Sequence, residues 1–310
     1  MAHLIKLEDY VSRYQSDLHR YPSQFTRMKK ERWNYIKQEW EQLQSKDKST
    51  LKINSDEDEF IEKEGNLFTL AVAKMKNWKS RKNNKENIVV ENEELNADLT
   101  IDELRKQFLD DLFHSQLRWA SSSLLEESSL HPRYKKDTIL RFFSQQLPDN
   151  FFLMYRPVFY IRNAPIELDI ILITPNEVIC LAVLNGDEHS VFEASSDRFW
   201  TEYVNQTRKK RISPLLALSR MSGVIQPILE EADIQVPIRK VVFTSDGIID
   251  HRIGSTKTEL IDHRNVEDWH QKLKKNPTPI KHQQLKIAEI LLAQTHTMGF
   301  KRMQEDLADN

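Results

Sequence analysis

The chain has 310 residues, enough for one large domain or two ordinary ones. Its 39% hydrophobic and 30% charged residues place part of the chain outside a packed core, as solvated helix or linker. A formal net charge of -2 gives no global attraction to nucleic acid or to an anionic membrane, so such a partner would need a local basic patch.

The lone cysteine, Cys180, excludes an internal disulfide and a cysteine zinc site, and fits a reducing compartment. It sits in an apolar run and reads as an inert core residue. Six glycines cannot build a glycine-rich phosphate loop, and no serine nucleophile elbow is present. The histidines show no metal-ligand spacing. The opening MAHLIKLEDYVSRYQ carries acids and a tyrosine where a secretion signal needs an unbroken apolar run. No window approaches about 18 uncharged apolar residues. These features predict a cytoplasmic protein without membrane contact.

In chain order, residues 1 to 45 read as helical. Leu7, Tyr10, Val11, Tyr14 and Leu18 fall at helical spacing, and Pro22 then interrupts. A second helix starts at Ser23 and carries Trp33, Tyr35 and Trp40 among Arg27, Lys29, Lys30, Arg32 and Lys37. Aromatics interleaved with basic groups can grip a single strand, although helical aromatics also serve as core or partner contacts. Residues 44–59 read as a loop, 60–78 as amphipathic, and the Asn-, Lys- and Glu-rich stretch 79–98 as a linker. Thr100-Ile101-Asp102-Glu103 is a capping box that predicts a helix to about Glu126. Another helix is expected from Tyr134 to Leu147.

The pattern then becomes β-rich. Strands are expected over Phe151–Tyr160, Glu167–Ile173 and Val178–Leu184, separated by turn residues at 163–165 and 174–176 and closed by Asn185-Gly186. Ser213-Pro214 starts a helix to about Glu231, with Pro227 a possible kink point. A strand over Arg239–Thr244, another near Glu259–Ile261, and helices near 265–274 and 281–297 complete the chain. This order predicts an α/β sheet with helices on its faces.

Carboxylates at Glu167 and Asp169, two apart on a strand, would project on one side. Such a pair can bind a hard divalent cation able to activate water at a phosphodiester. The competing expectation is an exposed acidic strand end.

The run IELDIILITPNEVICLAVLNG resembles the nuclease-related domain (NERD), a branch of the PD-(D/E)XK nuclease superfamily. Glu167-Leu168-Asp169 matches the family's E-I-D strand, Thr174–Glu177 its hairpin, and Val178–Leu181 the entry to its next strand. Asn185-Gly186, Trp200, the Ser213-Pro214-Leu215 helix start and Val241-Val242-Phe243 match further positions. The resemblance implies a restriction-endonuclease-like mixed sheet flanked by helices over residues 134–250. A mostly helical region would precede it at 1–98, with a connecting helix at 99–133, and a mostly helical extension would follow at 251–310. It also implies an acid on the helix before the sheet, for which Asp137 is the candidate, so that Asp137, Glu167 and Asp169 would be vestigial catalytic positions. Glu167 and Asp169 would be the metal ligands, and magnesium or manganese the cofactor of an active enzyme.

The sequence departs from that family where it carries E-x-K, placing Ala182 and Leu184 there. Ala supplies no oxygen to a metal, and Leu no charge to a transition state. Loss of one such stabilising group typically lowers a rate by about 10²–10³. The expectation is therefore weak or absent phosphodiesterase activity, with Asp187 and Glu188 as candidate substitutes for the lost acid. Arg208, Lys209, Lys210 and Arg211 form a basic run expected in a loop, where it could contact the phosphates of DNA or RNA. The alternative from another class is a non-catalytic scaffold that binds a protein partner, or a second copy, through helices of residues 1–78.

Overall fold

The computed structural model describes residues 1–53, 99–123, 128–187, 189–251 and 257–298. The amphipathic stretch 60–78 and the linker 79–98 lie outside the described residues. The chain divides into two compact units, Met1–Arg27 with Leu112–Asn310, and Met28–Asp111.

The strands are β1 (His3–Leu7), β2 (Phe152–Tyr155), β3 (Val158–Ile161), β4 (Ala164–Glu167), β5 (Ile170–Ile173), β6 (Val178–Val183), β7 (Val191–Ala194), β8 (Phe199–Val204), β9 (Thr207–Ile212), β10 (Ile238–Phe243), β11 (Ile248–His251) and β12 (Thr258–Ile261). The helices are α1 (Tyr21–Ile53), α2 (Ile101–Trp119), α3 (Arg133–Lys136), α4 (Thr138–Gln146), α5 (Pro214–Glu231), α6 (Val266–Lys274) and α7 (His282–Ala293). The larger unit is thus mixed α/β, with helices flanking multi-stranded mixed sheets.

Its main sheet has the order β1-β2-β5-β6-β10-β12. The meander β2-β5-β6 is antiparallel, while β1 runs parallel to β2, and β10 parallel to both β6 and β12. A parallel step needs a crossover, and α5 supplies the one from β6 to β10. The central strands are buried on both faces, as strands covered by helices on either side should be. Alternation divides their side chains. Tyr155, Ile170, Ile179, Leu181, Val241 and Phe243 join one core with Phe113 and Leu117 of α2, Phe143 of α4 and Trp269 of α6. Cys180 and Ala182 point the other way, towards α5, which packs on β6 and β10. Burial raises the Cys180 thiol to about 12, so it is inert as expected.

Several sequence expectations are corrected. Residues 3–7 form a strand rather than helix. β1 is buried throughout, and its partner β2 lies about 150 residues away in sequence, so no local signal reveals the pairing. The helically spaced Tyr10 and Tyr14 are buried instead around a short 3-10 turn, Arg13–Gln15, capped by Ser12. Residues 44–53, read as loop, continue α1. The capping box is formed, with Thr100 N–H donating to Glu103 Oε2 at 2.9 Å and Glu103 N–H to Thr100 Oγ1 at 3.3 Å, but α2 stops at Trp119. The Tyr134–Leu147 helix is two helices, because Asp137 leaves the helical region (φ -70°, ψ 107°) to cap α4. The strand expected over 151–160 breaks at Arg156, whose φ is 51°.

In the smaller unit, the Trp33 and Phe108 rings lie 5.2 Å apart. Arg32 pairs with Asp111 at 2.9 Å, and the Trp40 indole donates to the Leu99 carbonyl at 2.8 Å. Two of the three helical aromatics considered for strand binding are thus engaged within this unit, and Tyr35 is exposed.

Candidate functional site

Glu167 and Asp169 do not share a strand. Glu167 ends the β3–β4 hairpin, whose turn residues Arg162 and Asn163 have positive φ, as a tight hairpin turn requires. The chain then turns, Leu168 N–H donates to the Pro157 carbonyl at 3.0 Å, and β5 begins at Ile170. The expected same-side projection from one strand is therefore corrected. Both carboxylates nevertheless line one concavity of about 420 Å³, with Pro165, Ile166 and Arg220 of α5.

Asp169 is half-buried. Burial raises its carboxyl pKa, opposed by the Val183 N–H that it accepts and by the charges of Arg220 and Arg156, and reinforced by Glu167. A half-buried acid flanked by guanidinium groups can exchange a proton or help seat a polar group beside an anion. The β5–β6 register pairs Ile170 with Leu181, so one step further Asp169 stands opposite Ala182. Ala182 is 1% exposed, and Leu184 is also buried. The two E-x-K positions thus present only hydrocarbon beside Asp169.

Glu167 is exposed and paired with Arg156 at 3.1 Å. Arg156 also lies 3.9 Å from the buried carboxylate of Glu8, which Arg133 meets at 2.7 Å. Glu8 accepts from the Tyr134 hydroxyl as well, and burial, then this bond, raise the Tyr134 phenol pKa. Glu8 is part of this polar edge because β1 ends beside β2, with Glu8 N–H donating to the Tyr155 carbonyl at 2.8 Å. Sequence reasoning missed Glu8, because only the β1–β2 pairing brings the amino-terminal segment here.

Asp137 is placed differently. Its Oδ1 caps α4 by accepting from Leu140 N–H at 2.9 Å, and its Oδ2 accepts from the Tyr155 hydroxyl at 2.7 Å. Tyr155 belongs to the core on the α4 face, whereas Asp169, opposite Ala182, belongs to the α5 face. The structure therefore does not bring Asp137 together with Asp169, and both Asp137 oxygens have structural partners.

These residues offer a divalent cation few oxygens. A hard cation takes about six oxygen ligands, of which magnesium draws one or two from protein carboxylates. Glu167 is held by Arg156, Ala182 offers nothing, and among the described residues no cluster of three or more His, Cys, Asp or Glu side chains is placed to hold a metal. Asp187 is paired with Lys209 at 3.4 Å in the second sheet, and Glu188 lies outside the described residues.

The basic run is not a loop. It forms β9 in a second sheet of order β11-β7-β8-β9. The β8–β9 turn uses Asn205 and Gln206 at φ 45° and 65°. Lys209 and Arg211 face inward to acids: Arg211 Nε lies 2.5 Å from Glu202, whose side chain is fully buried and also accepts from Ser190 at 2.8 Å. Arg208 and Lys210 alternate to the other face.

Comparison with known proteins gives one curated relative, described as "RNA 2',3'-cyclic phosphodiesterase" of Geobacillus stearothermophilus. It is 30% identical over 116 residues, covering 37% of this chain and 36% of that protein. The chain thus matches about a third of that relative's length. No solved structure gives a significant match. The family model for the nuclease-related domain, NERD, matches residues 134–245.

Proposed function

We infer that the protein is nucleic-acid-associated and of nuclease ancestry, with weak or absent phosphodiesterase activity. The observation that carries this reading is Ala182 opposite Asp169, which lines a concavity that offers two carboxylates and an arginine but no third acid. The connectivity of α4, the antiparallel meander β2-β5-β6, α5 and β10 agrees with a restriction-endonuclease-like core. The phosphodiester chemistry in the relative's printed name favours RNA as the nucleic acid to test first. Phosphate contact falls to Arg220 and to Arg208 and Lys210 of β9.

The test is cleavage of single- and double-stranded RNA and DNA, and of a 2',3'-cyclic phosphate, with magnesium or manganese, comparing wild type with Asp169→Ala. Equal, background-level turnover in both agrees with the reading. Turnover lost in the variant would establish an active enzyme.

A second reading is a protein-interaction scaffold. It is favoured by the separate compactness of residues 28–111. Under it, deleting these residues abolishes a complex while the nuclease-related part stays folded. Retention of every partner would remove it.

A further inference from the structure

The second sheet has two unlike faces. Trp200, Glu202 and Val204 of β8 are buried, while Phe199 and Tyr203 are 46% and 41% exposed. The register sets Tyr203 beside Arg208, Thr201 beside Lys210, and Phe199 beside Ile212, which is 67% exposed. The Arg198 guanidinium lies 5.7 Å from the centre of the Phe199 ring. Two aromatic rings four residues apart on one strand stand about 13 Å apart on the same face. The acids of this face, Glu193 and Asp250, sit on β7 and β11, and Tyr203 donates its hydroxyl to Glu193 at 2.9 Å. Positive charge therefore gathers on the β8–β9 half, around the exposed rings.

We propose that the outer face of β8 and β9 binds single-stranded nucleic acid, with bases stacking on Phe199 and Tyr203 and phosphates meeting Arg198, Arg208 and Lys210. The occupant follows from the chemistry. A polyanion suits the three cations Arg198, Arg208 and Lys210, with Glu193 engaged by the Tyr203 hydroxyl, and unpaired bases suit the half-exposed rings of Phe199 and Tyr203. The strand alternation divides the basic run by role. Lys209 and Arg211 hold the sheet through Asp187 and Glu202. Arg208 and Lys210 are the pair available to a ligand. This inference rests on the reading of the chain as nucleic-acid-associated and specifies where the strand lies.

The experiment is fluorescence anisotropy with labelled RNA and DNA strands of about 20 nucleotides and a duplex of the same sequence, across a salt series. The full chain should bind the single strands more tightly than the duplex. Phe199→Leu with Tyr203→Leu, which keeps apolar surface but removes the rings, should weaken binding about tenfold or more. Arg208→Gln with Lys210→Gln should lower the slope of log K against log salt by roughly 1.4. Lys209→Gln should leave binding within about twofold, since its ammonium is on the other face. Wild-type binding unchanged in both double variants would overturn this surface while leaving nucleic-acid association standing. No binding of any probe by the wild type would overturn both.

Discussion

The backbone N–H of Val183, the residue between positions 182 and 184, favours the charged form of the Asp169 carboxylate. The main chain of β6 thus presents an N–H to the acid, while the side chains on either side of Val183 are Ala182 and Leu184. Asp169 is costly to ionise, because burial raises its pKa and the Glu167 charge adds to it, opposed by the Val183 N–H and the charges of Arg220 and Arg156.

That gives a stability prediction. A group whose folded pKa lies above its unfolded value contributes stability at low pH and loses it as pH rises through the folded pKa. Ionised Asp169 is therefore a burden at neutral pH. Asp169→Asn keeps an acceptor for Val183 N–H and should raise the melting temperature at about pH 7, with the gain vanishing below about pH 4. A lower melting temperature at neutral pH would contradict the sign.

Lys6 makes the opposite pH prediction. Burial lowers its pKa from 10.5 to about 7, although nearby Asp9 opposes this. Its ammonium donates to the Tyr10 carbonyl at 2.7 Å and to Thr297 Oγ1 at 2.9 Å. Between about pH 7 and about pH 10 the folded chain binds fewer protons than the unfolded one, so stability rises with pH there and levels off below. Urea midpoints at about pH 7 and about pH 9.5 should separate for the wild type and much less for Lys6→Met. Parallel shifts would show that Lys6 does not titrate in this window.

Glu8 ties β1 to the polar edge. Its side chain is 7% exposed and meets Arg133 at 2.7 Å. Removing one partner of a buried pair leaves an uncompensated charge, but Arg133 is half exposed and water discounts the loss. Glu8→Ala should cost about 2 kcal/mol, and a double-mutant cycle with Arg133→Ala should show coupling of about 1 kcal/mol. Denaturant titration measures both, and additivity would dismiss the pair.

Much of the main sheet was legible because its strands are short apolar runs bounded by turn residues, as at Val178–Val183 and Ile238–Phe243. The second sheet was not. β9, TRKKRI, is polar and exposed on nearly every residue, and its turn is Asn205-Gln206 rather than Asn-Gly. Asp169, Ala182 and Leu184 were singled out through the family resemblance. Glu8, Arg156 and Arg220 were not, because β1 pairing, the break at Arg156 and the crossover helix bring them to the edge from separate parts of the chain.

Gly186 and Gly247 pack against the ring of Phe192 in the second sheet. A Cβ at Gly186 would come 2.5 Å from the Phe192 ring, and one at Gly247 2.7 Å. Gly186→Ala should therefore cost about 1–3 kcal/mol by overpacking, and Phe192→Leu in the same chain should recover part of it. A neutral Gly186→Ala would mean that this contact yields easily.

The most direct test of the proposed weak or absent phosphodiesterase activity is RNA cleavage with manganese, comparing the wild type with Asp169→Ala under the same conditions. The account predicts the same background-level rate for both proteins. Metal-dependent cleavage by the wild type that disappears in Asp169→Ala would contradict it, and would require that other residues complete the site which Ala182 and Leu184 leave open.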